Sequence, residues 1–415
     1  MDILKNYSFT LLLLSGILLG GICGVVFGED ASVVKPIGDI FLNLIFVLIV
    51  PLVFLSISSS ICNMRQSNMV GKVILNIVLV FLATAVVSAL LAYGFISIYN
   101  PLGGIQHSIS DIGYIPPVAN QLSSAEVLVK TFTVSDFLLL FTKSNLLPLI
   151  IFSIFFGLAT SMVGEKGKPV VSFLNAGTEV ILKMMSIIMK AAPIGLGCYF
   201  ADTVGKLGEQ ILNGYMQVFI LFLILTGISF FGLNSLYALL AGGRKGFFAF
   251  WKNIPAPALT AIATSSSAAC IPINIESSKR MGVPASIAET VIPLGTNIHK
   301  DGSIMGGVIK IIFLFTIFGQ TMPMPNVFVI IGMALLVGAV MGAIPSGGMT
   351  GELLICSVFG FSPELAGTIL IISTIIDIPA TLLNSTGNVV CAMLVARLSE
   401  GKNRTKNHKS IPSKQ

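Results

Sequence analysis

The sequence predicts an all-α polytopic membrane protein: eight transmembrane helices plus two re-entrant hairpins, arranged as inverted repeats. Three observations predict it. The chain is 54% hydrophobic and 10% charged, whereas soluble domains carry about a quarter charged residues. Apolar stretches recur along its length, each able to cross a hydrocarbon core of ~30 Å as a helix of ~20 residues. Two late apolar segments are interrupted halfway by small polar residues, which is poor material for a lipid-facing helix.

Six spans come first, at 8–27, 38–62, 71–99, 136–163, 170–200 and 209–241. The first, with Lys5 ahead of it, has the outline of a secretory signal, but no small-residue cleavage site follows it and further spans do. Charge orients the set. Arg65 with Lys72, Glu165 with Lys166 and Lys168, and Arg244 with Lys245 and Lys252 fall in alternate loops, and the tail at 399–415 is basic. The long loop from Asn100 to Thr133 has Lys130 as its only cation. Positive loops face the cytoplasm, so both termini are expected inside a cell (inner) membrane.

The segment 253–278 breaks the alternation. Lys252 flanks one end and Lys279 with Arg280 the other, so a full crossing would expose one cluster outside, and a hairpin keeps both inside. Its middle, "TSSSAACIP", is polar and closed by Pro272. Serines packing one helix against another account equally well for the spacing alone. After a span at 284–318 comes a second interrupted segment, 326–361, centred on "AIPSGGMTG", and a last span at 363–397. Each hairpin precedes a span expected to break at mid-depth, at "NIHKDGS" (297–303) and at "DIPATLLNSTGN" (377–388). Two hairpins from opposite faces and two broken helices are the signature of an inverted-repeat transporter, with substrate held where the unwound pieces meet. An aspartate within a span costs roughly 2.5 to 3.5 kcal/mol at a helix centre, which already marks Asp377 as functional.

On these motifs the chain resembles the dicarboxylate/amino acid:cation symporter (glutamate transporter) family over nearly its whole length; "SSAACIP" followed by "IPLG" looks most like the bacterial sodium:serine/threonine branch. The resemblance implies a homotrimer. Residues 1–245 would be mostly scaffold, with spans 3 and 6 joining a transport core at 246–398 that moves as an elevator. It also implies substrate contacts from Ser266 and Ser267 in the first hairpin, Ser303, and Gly347 and Gly348 at the second hairpin's tip. In the last span it implies Asp377 for a substrate ammonium, Thr381 for its side chain and Asn384 for its carboxylate. Members with acidic substrates keep an arginine where this chain has Ala380 or Ser265, because a second carboxylate needs a bidentate cation. A small neutral amino acid of the serine, threonine or alanine type is expected, imported with sodium and without an organic cofactor.

The implied cation set is Gly295, His299, Asp301, Asn384, Asn388 and Thr84, joined here by Lys300. The family motif Asn-Met-Asp-Gly-Thr reads His299, Lys300, Asp301, Gly302, Ser303, and the last span's aspartate is Asn388. Lys300 is expected to fill the space of a sodium ion with adjacent Asp301 as counter-charge, while His299 alone reads best as a packed histidine bonded to a backbone carbonyl. A histidine titrates near neutrality, so a proton-coupled or sodium-independent carrier of amino acids or dicarboxylates is the alternative. Phe81 stands near Thr84 in the third span.

Pro51, Pro148 and Pro193 read as kinks, Trp251 as an interface anchor, and His107 as a loop residue without chemistry. The six cysteines lie in apolar segments with no C-x-x-C pair, so neither disulfides nor zinc are indicated. The net charge of +6 sits in loops and tail, which gives no nucleic-acid surface. An intramembrane serine hydrolase using Ser266 or Ser267 with Lys300 lacks a Gly-x-Ser-x-Gly elbow, and a channel leaves Asp377 and Asn384 without a purpose.

Overall fold

The computed structural model describes residues 2–66, 71–99, 129, 132–142, 145–207, 209–317, 327–341, 348–362 and 365–400. Gly347, His107, Lys130 and the tail from 401 lie outside the described residues.

Among the described residues the structure is helical, without β-sheet. In chain order the helices are α1 (Asp2–Phe27), α2 (Lys35–Gln66), α3 (Gly71–Tyr99), α4 (Leu146–Met162), α5 (Lys168–Ile188), α6 (Ala192–Leu207), α7 (Glu209–Gly227) and α8 (Asn234–Asn253). They continue as α9 (Pro255–Thr264), α10 (Ile271–Arg280), α11 (Ala285–Ile298), α12 (Asp301–Ile317), α13 (Val327–Val340), α14 (Gly348–Phe359) and α15 (Leu365–Glu400). A π-helical turn, Ile228–Leu233, joins α7 to α8. Five helical stretches have the length and apolar composition to cross a membrane, and α4, α13 and α14 are shorter apolar helices.

Side-chain pairs fix the relative directions of the spans. Gly16, Gly20 and Gly24 of α1 advance in step with Pro193, Gly197 and Ala201 of α6, so these helices are parallel. A Cβ built on Gly20 would lie 2.1 Å from the Gly197 carbonyl oxygen, so only glycine permits this approach. Ser58 bonds to the Ser153 carbonyl and Cys62 to that of Gly157, making α2 parallel to α4. Asn76 meets Ser399 and Thr84 meets Cys391, so α3 is antiparallel to α15. Tyr215 pairs with Thr368 and Asn234 with Thr386, so α7 and α8 run parallel to α15. Gly302 faces Ala380 and Gly306 faces Ile376, so α12 is antiparallel to α15. These directions hold together only if neither hairpin crosses, since an added crossing would reverse α12 or α15 against its neighbours.

Each hairpin is therefore a pair of short arms. The ten residues of α9 and of α10 rise about 15 Å each, half a bilayer. Their turn passes through Ser265, at φ 46°.

The last span departs from expectation. It was predicted to break between Asp377 and Asn388, but α15 runs unbroken from Leu365 to Glu400 with Pro379 inside. Asn384, Ser385 and Thr386 find partners sideways, on α12, α10 and α8, so no backbone has to open to serve them. Span 4 is helical at Phe137–Leu140 and again in α4 from Leu146, and the basic segment at 244 follows a kink at Gly242 and Gly243 within α8.

Packing sorts the helices into two groups. α1, α2, α4, α5 and α6 pack chiefly on one another, while α15 collects α3, α7, α8, both hairpins, α11 and α12 around itself. Leucines, isoleucines and phenylalanines on the outer faces, such as Leu18 and Leu19 of α1 and Phe231, remain exposed, as lipid contact requires.

Candidate substrate and cation site

Span 7 breaks within the stretch that the sequence singled out. α11 ends at Ile298, His299 is extended (φ −124°, ψ 110°) and α12 restarts at Asp301. A new helix start leaves backbone N–H groups without intrahelical partners. Gly302 and Ser303 donate theirs to Asn384 Oδ1, at 2.9 and 3.3 Å, and Asn384 Nδ2 donates to Ser303 Oγ at 3.1 Å. Asn384 thus caps α12 from another helix, as a capping side chain does locally. Asp301 sits in the first turn, where the helix dipole favours an anion.

Three helices converge on the His299 ring, which is 1% exposed. Thr84 Oγ1 of α3 lies 2.7 Å from Nε2, and Asn388 Oδ1 of α15 lies 3.0 Å from Nδ1. Asp301 Oδ1 is 3.2 Å from Nε2 but makes no hydrogen bond, so that contact is one of charge alone. Phe81 stacks on the ring with centroids 4.5 Å apart. Gly295 is required beside it, because a Cβ there would lie 2.2 Å from Asn388 Oδ1.

Two expectations are corrected. His299 is bound through its ring to three side chains, not to a backbone carbonyl. Asp301 is committed to His299, and its buried neighbour Lys300 makes none of these contacts. Adjacent residues at a helix start point different ways, so adjacency in sequence misassigned the pair.

Asp377, Thr381, Asn384 and Asn388 recur at spacings of four, three and four and so share one face of α15. Thr381 and Asn384 are buried. Asp377, on the same face, is exposed by surface area. Hairpin 1 packs on the same helix: Asn274 of α10 donates to Ser385, and α9 lies along α15. At its tip Ser266 Oγ accepts from Ala269 N at 3.3 Å, and Ser267 is buried. Gly348 begins α14.

A second buried cluster escaped the sequence reading. Lys310 of α12, 1% exposed, is bonded to Glu352 of α14, fully buried, and Ser373 of α15 bonds to both. One unlike charge in each of two otherwise apolar stretches was the available signal.

The donors around His299 do not fit a sodium ion. Hard cations take oxygen ligands, and a carboxylate, an amide oxygen and a hydroxyl do gather here, but each one's contact is taken by an imidazole nitrogen.

Residues 9–398 match the family model described as the sodium:dicarboxylate symporter family. The chain is 26% identical over 391 residues to the proton/sodium-glutamate symport protein of Bacillus subtilis, covering 92% of this chain and 90% of that one. It is 28% identical over 394 residues to the C4-dicarboxylate transport protein of Rhizobium johnstonii, covering 92% and 87%.

Proposed function

Because this chain belongs to the sodium:dicarboxylate symporter family, and is a membrane carrier and not an enzyme, we propose that it imports a small neutral amino acid together with a cation. The observation that carries the substrate class is the setting of Asp377. It is exposed by surface area, on the same face as Asn384, with Ala380 and Ser265 where acidic-substrate members place arginine. An α-ammonium pairs with Asp377, and the substrate carboxylate is held between the hairpin tip at Ser266 and Ser267 and the polar start of α12. The hydroxyls of Ser303 and Thr381 suit serine, threonine or alanine. Sodium is the coupling ion of this reading, and a proton is the alternative.

The two packing groups support an elevator cycle. The helices gathered on α15 form the moving body, with hairpin 2, through Gly347 and Gly348, as its outer gate; the others form the scaffold of a homotrimer. Both termini are cytoplasmic, in the cell membrane.

A second reading, an acidic substrate without an ammonium, is favoured by one observation: Lys300 already places a buried positive charge at the break of span 7. Of the relatives named above, the C4-dicarboxylate transport protein carries such a substrate in its name, whereas the glutamate of the other has an α-ammonium. Competition of labelled serine uptake by each of the twenty amino acids and by C4-dicarboxylates, in proteoliposomes, separates the two. Inhibition by serine, threonine and alanine, lost in Asp377→Asn, supports the neutral amino acid. Inhibition by dicarboxylates alone overturns it.

A further inference from the structure

The polar cluster at the break of span 7 is built from the donor set of a hard cation: one carboxylate, one amide oxygen and one hydroxyl, drawn from α12, α15 and α3. Such oxygens gather in a membrane protein's interior at a cost, and they are retained where something positive or polar meets them. What meets them here is the chain itself. The His299 ring stands between Asn388 Oδ1 on one side and Thr84 Oγ1 with Asp301 Oδ1 on the other, at 3.0, 2.7 and 3.2 Å. Phe81 closes one face of the ring at 4.5 Å, and Gly295 lies so close to Asn388 that a Cβ would overlap it.

We infer that His299 permanently occupies, as a tethered substitute, the cation site that Thr84, Asp301 and Asn388 would otherwise form, so that no sodium ion binds there at any stage of the carrier's cycle. Three buried atoms around the ring lack a hydrogen bond: Asp301 Oδ1, which meets the imidazole as an ion-pair contact only, Asn388 Nδ2 and the nearby hydroxyl of Tyr237. A ring with two nitrogens serves two bonding directions, so it fills the space while leaving part of the oxygen cluster's capacity unused. The geometry also gives the oxygen cluster to His299 and not to its neighbour Lys300, which makes none of these contacts.

The inference rests on the carrier reading for its significance, but its test needs no substrate and so fails separately from the uptake experiment. Thermal unfolding of the purified full-length chain is followed in sodium chloride and in choline chloride at equal ionic strength. For the parent protein and for Thr84→Ala, the sodium-dependent rise in Tm is expected to be equal, because Thr84 holds no ion. His299→Asn shortens the side chain, supplies an amide oxygen and opens the cluster. It is expected to gain a saturable sodium-dependent rise of a few degrees, absent with potassium and lost again in His299→Asn with Thr84→Ala. Ligand that binds only the folded state raises Tm by mass action. A sodium response of the parent protein that Thr84→Ala abolishes overturns the inference, as does a folded His299→Asn, judged by its elution profile, that gains none. If His299→Asn does not fold, the comparison of parent and Thr84→Ala decides alone.

Discussion

Span 7 carries two buried charge clusters, roughly 14 Å of helix rise apart, and they solve the same problem differently. At the break, His299 and Asp301 meet Thr84 and Asn388 across three helices, with hydrogen-bonding capacity left over. Within the intact part of α12, Lys310 meets Glu352 and Ser373, and the two opposite charges compensate each other directly, with Glu352 Oε2 the one carboxylate oxygen left without a hydrogen bond. The first cluster coincides with extended backbone at His299 and a helix start capped from α15; the second leaves its helices regular. A site meant to engage a ligand needs backbone and polar groups that are not consumed locally, whereas a structural pair needs only mutual neutralisation. Lys310 and Glu352 join the second arm of hairpin 2 to α12.

The sharpest way to break this comparison is to remove one charge of the sealed pair. Lys310→Met leaves Glu352 buried and unpaired and is expected to cost about 3–5 kcal/mol, whereas Lys310→Met with Glu352→Leu recovers most of it. Unfolding of the purified protein in detergent measures both, and equal loss in the single and double variants would refute the pairing. Gly295→Ala strikes the other cluster by steric means. The new methyl drives Asn388 from His299, at about 1–3 kcal/mol for overpacking, and uptake is expected to fall together with Tm. Thr84→Val removes one hydrogen bond to the ring while keeping its volume. Its expected cost is about 1 kcal/mol, seen as a small drop in Tm. The smallest effect belongs to a pair outside both regions: Lys168→Ala, which breaks the exposed contact with Glu165, should change stability by no more than about 0.5 kcal/mol. A larger loss there would show that surface charges carry weight comparable to the buried clusters.

Much of this was legible in the chain. The alternation of basic loops required both hairpins, and the observed helix directions agree. "NIHKDGS" marked the break because it sets a histidine, a lysine, an aspartate and a glycine side by side within one span. The same reasoning failed at 377–388, where Pro379, Asn384 and Asn388 suggested a second break and α15 continues through them. It also passed over Lys310, whose neighbours are apolar on both sides in sequence, and Glu352, which follows the polar middle of the second hairpin. Thr84 and Phe81 were placed only by resemblance, and their contact with His299 joins residues more than two hundred positions apart.

The sequence by itself determined the all-helical, membrane-spanning character of the chain, the two interrupted segments and the place where span 7 opens, because hydropathy, small polar residues and helix-start chemistry act over one or two turns of chain. Only the tertiary structure decided which charge meets which: His299 with Asp301 and Lys310 with Glu352. It also decided that α15 stays whole. A buried charge or amide takes its partner from whatever helix packs against it, and once α12, α10 and α8 supply those partners, the backbone has no reason to break.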